Sequence, residues 1–267
     1  MLSTSAESEE TLISCRTFWG DAIEGYHQEK VFCNIYSKGY HELPLTNIFI
    51  SVIKPGGNVF DIGAHIGYYS LLASNIVGEK GRIVAFEPTP VTRQILAQNV
   101  SSKLNITVDS RAVYNSTSEG LLLNDLGVAN SSYNSIYSPR LKNACLTQLL
   151  TDKISVDTIS IDEYIQKTMI IPSFVKVDAE SAEYDVLLGM QSTLENIRPF
   201  VSLELGDLGV IDVPTSRYIV DYMKDKEYVP IESDGYKMNY HVPKVGYEYC
   251  NILFAPAEKC SELCVIH

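Results

Sequence analysis

The sequence predicts an α/β fold built on a doubly wound, mostly parallel sheet, and three observations carry that expectation. Short apolar runs suited to buried strands alternate with segments of helical periodicity. A glycine-bearing turn joins the first core strand to the helix after it. The 267 residues are enough for one large domain that buries about 70–75% of its unfolded surface, so no metal or disulfide is needed to hold it together.

Residues 1 to about 12 are expected to be a disordered tail, and Ile13 to Tyr40, rich in aromatics (Phe18, Trp19, Tyr26, Phe32, Tyr36, Tyr40), a mixed N-terminal cap. The main domain is expected over 41–267. Leu45, Ile48, Phe49, Val52 and Ile53 recur at helical spacing, and Pro55-Gly56-Gly57 ends that helix. Val59, Phe60 and Ile62 form strand one; Gly67 opens a helix carrying Tyr68, Leu71, Leu72 and Ile76. Ile83 to Phe86 form strand two, and Thr89-Pro90 places a cap residue and an N1 proline before a helix through Ile95, Leu96 and Val100. Asn105 to Val113 reads as strand three. Loops or hairpins are expected as an insertion near 114–150, including Gly120 to Pro139. Ser160-Ile-Asp-Glu163 is a capping box. Pro172 to Asp178 and Arg198 to Glu204 are strands four and five, Thr215 to Lys226 is an amphipathic helix, and Tyr228 to Ile231 and Asn251 to Ala255 close the sheet.

Chemistry concentrates in Asp61-Ile-Gly63-Ala-His-Ile-Gly67 and in Glu87, at the carboxyl end of strand two. Ligands of open α/β sheets sit at that end, where an acidic side chain can accept both ribose hydroxyl protons. A dinucleotide fingerprint would read G-x-G-x-x-G, with backbone donors facing a pyrophosphate. Here the close glycine pair is missing and a carboxylate precedes the turn. That carboxylate would repel a pyrophosphate but suits the cationic amino-acid end of S-adenosylmethionine. A nicotinamide oxidoreductase is therefore the weaker alternative; a fold of this kind kept only as a binding module is another.

Bulk properties exclude several classes. A net charge of −12 argues against a nucleic-acid partner, which needs Lys and Arg patches. No run approaches the ~20 apolar residues of a membrane span, and no membrane association is expected. The acidic, polar start is no secretory signal, so a cytoplasmic protein is expected. The sequons at Asn99, Asn105, Asn115 and Asn130 then carry little weight, and the six scattered cysteines, without a C-x-x-C pair, read as reduced thiols. The C-terminal Cys264-Val-Ile-His267 has a C-a-a-X outline but neither a customary last residue nor a polybasic lead.

With these residues in place, the chain resembles the FkbM family of S-adenosylmethionine-dependent methyltransferases from about Glu42 to Pro256. The landmarks are Glu42, the Asp61 to Ser70 segment, Phe86-Glu87-Pro88, Lys176-Val-Asp178-Ala-Glu180-Ser-Ala-Glu183-Tyr184, Asn251 and the serine-rich Asn130-Ser131-Ser132 loop. Two departures stand out: His65 where the family usually has Asn, and Ser181 where it usually has Gly. The resemblance implies a Rossmann-like class I methyltransferase fold with a seven-stranded sheet. It implies S-adenosylmethionine as cofactor, held by Glu42, Asp61, Gly63, Ala64, His65, Gly67, Tyr68, Glu87, Pro88 and Asp178. It further implies a small-molecule hydroxyl as acceptor, on a sugar, a polyketide or another secondary metabolite. A free-standing enzyme and a domain of a larger biosynthetic assembly both fit.

An aliphatic hydroxyl is a poor nucleophile, so a base or a metal must take or weaken its proton. Asp178 and Glu180, where strand four ends, are the candidate catalytic carboxylates, with His65 as a further candidate and Glu204 a third carboxylate in the same cleft. No metal is expected; Mg2+ on Asp178, Glu180 and Glu204 is the alternative to direct proton transfer. Residues 13–40 and 114–140, aromatic or rich in Ser and Asn, are the expected acceptor pocket.

Overall fold

The computed structural model describes residues 11–137, 152–207 and 213–266. It opens with a hairpin, β1 (Leu12–Arg16) against β2 (Ala22–Tyr26), and a helix, α1 (Lys30–Lys38). Leu12 already pairs with Tyr26, so the expected tail stops short of it; residues 1–10 lie outside the described residues. Three further helices and four strands follow: α2 (Leu43–Val52), β3 (Asn58–Ile62), α3 (Tyr68–Val77), β4 (Arg82–Phe86), α4 (Pro90–Asn99), β5 (Ile106–Asp109) and β6 (Ala112–Val113). The chain continues through β7 (Leu121–Asp125), a 3-10 turn (Val128–Tyr133), β8 (Asp152–Val156), β9 (Thr158–Ile159), α5 (Ile161–Thr168) and β10 (Phe174–Val177). It ends with α6 (Glu183–Leu188), β11 (Phe200–Leu205), α7 (Ser216–Asp225), β12 (Tyr228–Ser233), β13 (Met238–Tyr240), β14 (Cys250–Pro256) and β15 (Val265–Ile266).

The main sheet runs β15-β13-β12-β14-β11-β10-β3-β4-β5, parallel from β5 to β11. β14 and β12 then join it antiparallel. Seven of its nine strands are those read from the sequence; the short β13 and β15 extend the far edge. Successive residues of a strand face opposite sides, and each parallel strand uses both. Val59, Ile83 and Phe174 pack under α1 to α4, while Phe60, Val84, Val175 and Leu203 pack under α5 to α7. That two-sided burial is the doubly wound architecture.

The local differences from the sequence reading have physical causes. Strand three breaks after Asp109, whose carboxylate accepts from the backbone N–H of Arg111 at 3.0 Å and from its guanidinium. The chain turns there, and β6 leaves the sheet to pair with β9. The hairpin of the inserted region closes when β7 pairs with β8, beyond residue 150. Thr89 does not cap α4; its hydroxyl accepts from Asn134 Nδ2 at 3.3 Å. The capping box is half made. Ser160 Oγ accepts from the N–H of Glu163, but Glu163 turns to Lys167, and Thr117 Oγ1 takes the N–H of Ser160. Asn99, Asn105 and Asn115 use their amides in hydrogen bonds to Glu24, Gly78 and Asp185. Among the described residues no helix is long and apolar enough to cross a membrane.

Candidate active site

The face of the sheet under α1 to α4 is apolar at one end and turns polar at its carboxyl end. Strand alternation puts Asp61, Lys176 and Glu204 on that face, with Lys176 opposite Asp61 and Glu204 opposite Asn251 in register. A cavity opens above these strand ends with about 860 Å³ of empty space, including the part open to solvent, within the size range of cofactor and ligand sites.

At the first turn, Gly63 has φ 71°, and a Cβ there would run into the carbonyl of Asp178. Only glycine lets the turn and the end of β10 approach this closely. Lys176, 2% exposed in the middle of the wholly buried β10, ties them together. Its Nζ donates to the Gly63 carbonyl at 3.1 Å and lies 3.1 Å from Asp178 Oδ2 and 3.4 Å from Asp61 Oδ1. Burial alone would lower its pKa, but the two carboxylates outweigh that and raise it. Asp61 is fully buried, accepts from Ser70 Oγ at 2.6 Å, and is absent from the cavity wall. Expected as a direct cofactor ligand, it stands behind the site as a support of Lys176. Ala64, Gly67 and Tyr68 also lie outside the wall.

Glu87 lines the cavity where expected. Its Oε2 accepts from the backbone N–H of His65 at 3.0 Å and its Oε1 from that of Thr89 at 2.9 Å. Burial raises its pKa, which these bonds and nearby His65 partly offset. Pro88, Gly63 and His65 line the cavity too. His65 Nε2 lies 2.9 Å from Ser131 Oγ, while its Nδ1 is buried without a partner.

Asp178, Glu180 and Glu204 do converge: a carboxylate oxygen of each lies within 4.8 Å of the others. Burial, with Asp178, Glu180 and Glu42 beside it, pushes Glu204 well above the usual carboxylate range. Burial would raise Asp178 as well, but Lys176 and a hydrogen bond with Glu204 hold it low. Of the two, Asp178 is the one held toward its ionised form and Glu204 the one pushed toward its neutral form. Glu42 reaches the same space, its Oε2 accepting from Tyr69 OH at 3.2 Å and Asn251 Nδ2 at 3.4 Å. Burial, then Asp178, raises its pKa.

The serine-rich loop closes the cavity from the side. Ser131, Ser132, Asn134, Ser135 and Ile136 line it, and Ser135 Oγ donates to the carbonyl of Glu180. Of residues 13–40 only Val31 contributes, and Tyr133 lies outside the wall against Lys30, 3.4 Å from its Nζ. The N-terminal aromatics serve packing instead: Trp19 meets Tyr68 edge-on and Phe32 is fully buried. Backbone strain gathers at the site. Glu42 (φ 39°), His65 (50°), Glu180 (44°) and Ser181 (85°) are four of the seven non-glycine residues with positive φ among the described residues, a conformation that persists where surrounding structure enforces it. Both departures from the family pattern, His65 and Ser181, fall among them.

Sequence reasoning gave no role to Lys176 or His41. The signal for Lys176 was a charge inside an apolar strand, which demands a buried partner. His41 lines the cavity with Nδ1 buried and unpartnered, and burial drives its pKa down to about 3. Nothing in composition or periodicity marked it.

Comparison with known proteins matches residues 61–230 to the methyltransferase FkbM domain. The chain is 27% identical over 150 residues to the hexuronic acid methyltransferase AglP of Haloferax volcanii, covering 55% of each protein. It is 29% identical over 134 residues to ribosomal RNA large subunit methyltransferase E of Buchnera aphidicola, covering 48% of this chain and 62% of that one. The chain thus spans 55% and 62% of the length of these two curated relatives. Among solved structures it is similar to a methyltransferase FkbM from Methylobacillus flagellatus, with 16% identity and a TM-score of 0.44 over 74% of this chain and 43% of that one.

Proposed function

Because the chain belongs to the FkbM methyltransferase family, we propose that it methylates a hydroxyl oxygen of a small molecule, a sugar or a secondary metabolite, using S-adenosylmethionine. When bound, that cofactor supplies a methyl group on a positively charged sulfur. The residues present fit it. Glu87 lines the wall at the end of β4, its carboxylate oriented by the backbone N–H groups of His65 and Thr89 and suited to accept ribose hydroxyls. Glu42 and Asp178 give the wall the negative charge that suits a cationic amino-acid end.

The observation that carries the reading is Asp178 in the cavity wall, 3.1 Å from the Lys176 ammonium and beside Glu180 and Glu204. The acceptor hydroxyl donates to the ionised Asp178, which fixes its lone pair for in-line attack. Once methylated, the attacking oxygen would be strongly acidic. A carboxylate of low basicity then suffices to take its proton. Lys176 and Glu204 keep Asp178 ionised for that moment. The oxygen-only set Asp178, Glu180 and Glu204 also matches the donor chemistry of a hard divalent cation. Direct proton transfer is favoured because the Lys176 ammonium already lies 3.1 Å from Asp178 and offsets the charge a cation would neutralise.

The similarity to a hexuronic acid methyltransferase supports a sugar-like acceptor. The ribosomal RNA relative raises a polyanionic one, which the acidic wall and the net charge of −12 oppose. Asp178→Asn tests the proposal. With labelled S-adenosylmethionine and small-molecule extract, turnover should fall about 10²–10⁴-fold, well beyond any loss of S-adenosylhomocysteine affinity. Near-normal turnover would move the proton acceptor to Glu180, Glu204 or His65. Activity lost to EDTA and restored by Mg2+ would replace direct transfer by metal assistance. Binding of S-adenosylhomocysteine with no turnover on any acceptor would leave a binding module.

A further inference from the structure

The charge around the cavity is one-sided. Among the described residues its wall holds Glu42, Glu87, Asp178, Glu180 and Glu204 and no Lys or Arg. Its other polar groups on the inserted loop, Ser131, Ser132, Asn134 and Ser135, are neutral. The cations beside it are directed elsewhere, Arg93 donating to the backbone carbonyls of Glu87 and Pro88. Lys176 lies beneath the floor and is spent on Asp178, Asp61 and the Gly63 carbonyl. Lys30 bonds Tyr133, outside the wall. His41 adds no cation, since burial holds it neutral with a pKa of about 3, the neighbouring Asp178 notwithstanding.

Enzymes that take a carboxylate or phosphate normally meet it with Arg or Lys, whose donors match its oxygens and offset its desolvation. Here an anion would surrender its water and face carboxylates instead. Unlike charges, neutral hydroxyls find suitable partners on every side: the carboxylates accept from them, and serine and asparagine both donate and accept. Building on the hydroxyl-methylation reading, we propose that the site selects uncharged, hydroxyl-bearing acceptors and rejects those carrying a carboxylate or phosphate. The chain thus departs in substrate charge from the hexuronic acid enzyme it is similar to. Two unit charges of like sign held several ångströms apart near a protein surface repel strongly enough to cost at least about tenfold in kcat/KM.

The test labels products from S-adenosylmethionine carrying a radioactive methyl group, using the full chain and small-molecule extract. Products are passed over an anion exchanger at pH 7, and each fraction is treated with mild alkali, which frees methanol from esters and leaves ethers intact. Alkali-stable label that is not retained is the expected result. Label in the retained fraction, or alkali-labile label from a methylated carboxylate, overturns the inference while methyl transfer itself stands. No label in any product, with S-adenosylhomocysteine still bound, sinks the hydroxyl-transfer reading and the inference together. Glu180→Gln removes one wall charge without changing shape. It should narrow the preference for 4-nitrophenyl glucoside or galactoside over the matching uronides several-fold at low salt. An unchanged ratio in a folded variant would remove electrostatics as the cause.

Discussion

The ammonium of Lys176 lies 3.1 Å from the Asp178 carboxylate while hydrogen-bonding the carbonyl of Gly63 at 3.1 Å. One buried side chain thereby joins the glycine turn after β3 to the candidate base after β10, with Asp61 behind both. Removing one partner of a buried ion pair leaves the others uncompensated, which costs about 3–5 kcal/mol. Lys176→Met is therefore expected to lose stability in that range, read by urea unfolding. With the cation gone, the pKa of Asp178 should rise, so turnover should fail at a higher pH on the acid side. A variant within about 1 kcal/mol of wild type would show that the cluster does not depend on its cation.

Glu87 offers a cleaner test of cofactor binding, because it sits in the wall and Asp61 does not. Replacing a charged hydrogen-bond acceptor costs about 1.5–3 kcal/mol. Glu87→Ala should weaken S-adenosylhomocysteine binding by that amount in calorimetry. Part of the loss will come from releasing the N–H groups of His65 and Thr89. Glu87→Gln keeps a neutral acceptor on that side chain and should lie between. Unchanged affinity in a folded Glu87→Ala protein would take this residue out of the site.

The sheet was legible because strand signals are local: β3, β4, β10 and β11 are short apolar runs, and alternation assigns both faces. The bend after Asp109 was not, since it depends on a side chain folding back on Arg111. In the site, Glu87 and the candidates Asp178, Glu180 and Glu204 were legible from their places at strand ends, but not that all three converge, since a carboxylate pair leaving a strand can diverge as the chain turns. Whether Asp61 faces the ligand or the interior is decided by register against Lys176 in a neighbouring strand, a relation between distant parts of the chain. The N-terminal aromatics misled for a similar reason. An aromatic-rich segment suits a binding pocket and a packing layer equally, and only the tertiary structure distinguishes them.

Ser181 stands at φ 85°, where residues with a side chain are strained and glycine is not. Ser181→Gly should relieve that strain and stabilise the fold by about 0.5–1 kcal/mol, net of glycine's greater entropy when unfolded. The midpoint of urea unfolding measures it, with an unchanged slope showing that the unfolded state is unaltered. A lower midpoint would mean that the serine hydroxyl contributes more than the strain costs.

His41 gives the molecule an acid-sensitive element. Its folded pKa is about 3 against an ordinary 6.5, because burial disfavours the imidazolium. Below the ordinary value the unfolded chain binds a proton there that the folded chain refuses. Stability is thus fully present above about pH 6.5 and is lost progressively as pH falls toward the folded pKa. At pH 4 the penalty is about 3 kcal/mol. Glu42, Glu87 and Glu204 act in the opposite sense, since burial favours their neutral forms and folding gains as they protonate. The total pH curve therefore mixes both, and a comparison of variants separates them. His41→Gln should lose some packing against Tyr68 and Tyr69 at every pH. Relative to wild type, it should then gain about 3 kcal/mol between pH 7 and pH 4, measured by chemical unfolding at each pH. Parallel curves for the two proteins would show that His41 takes up its proton as readily in the fold as outside it.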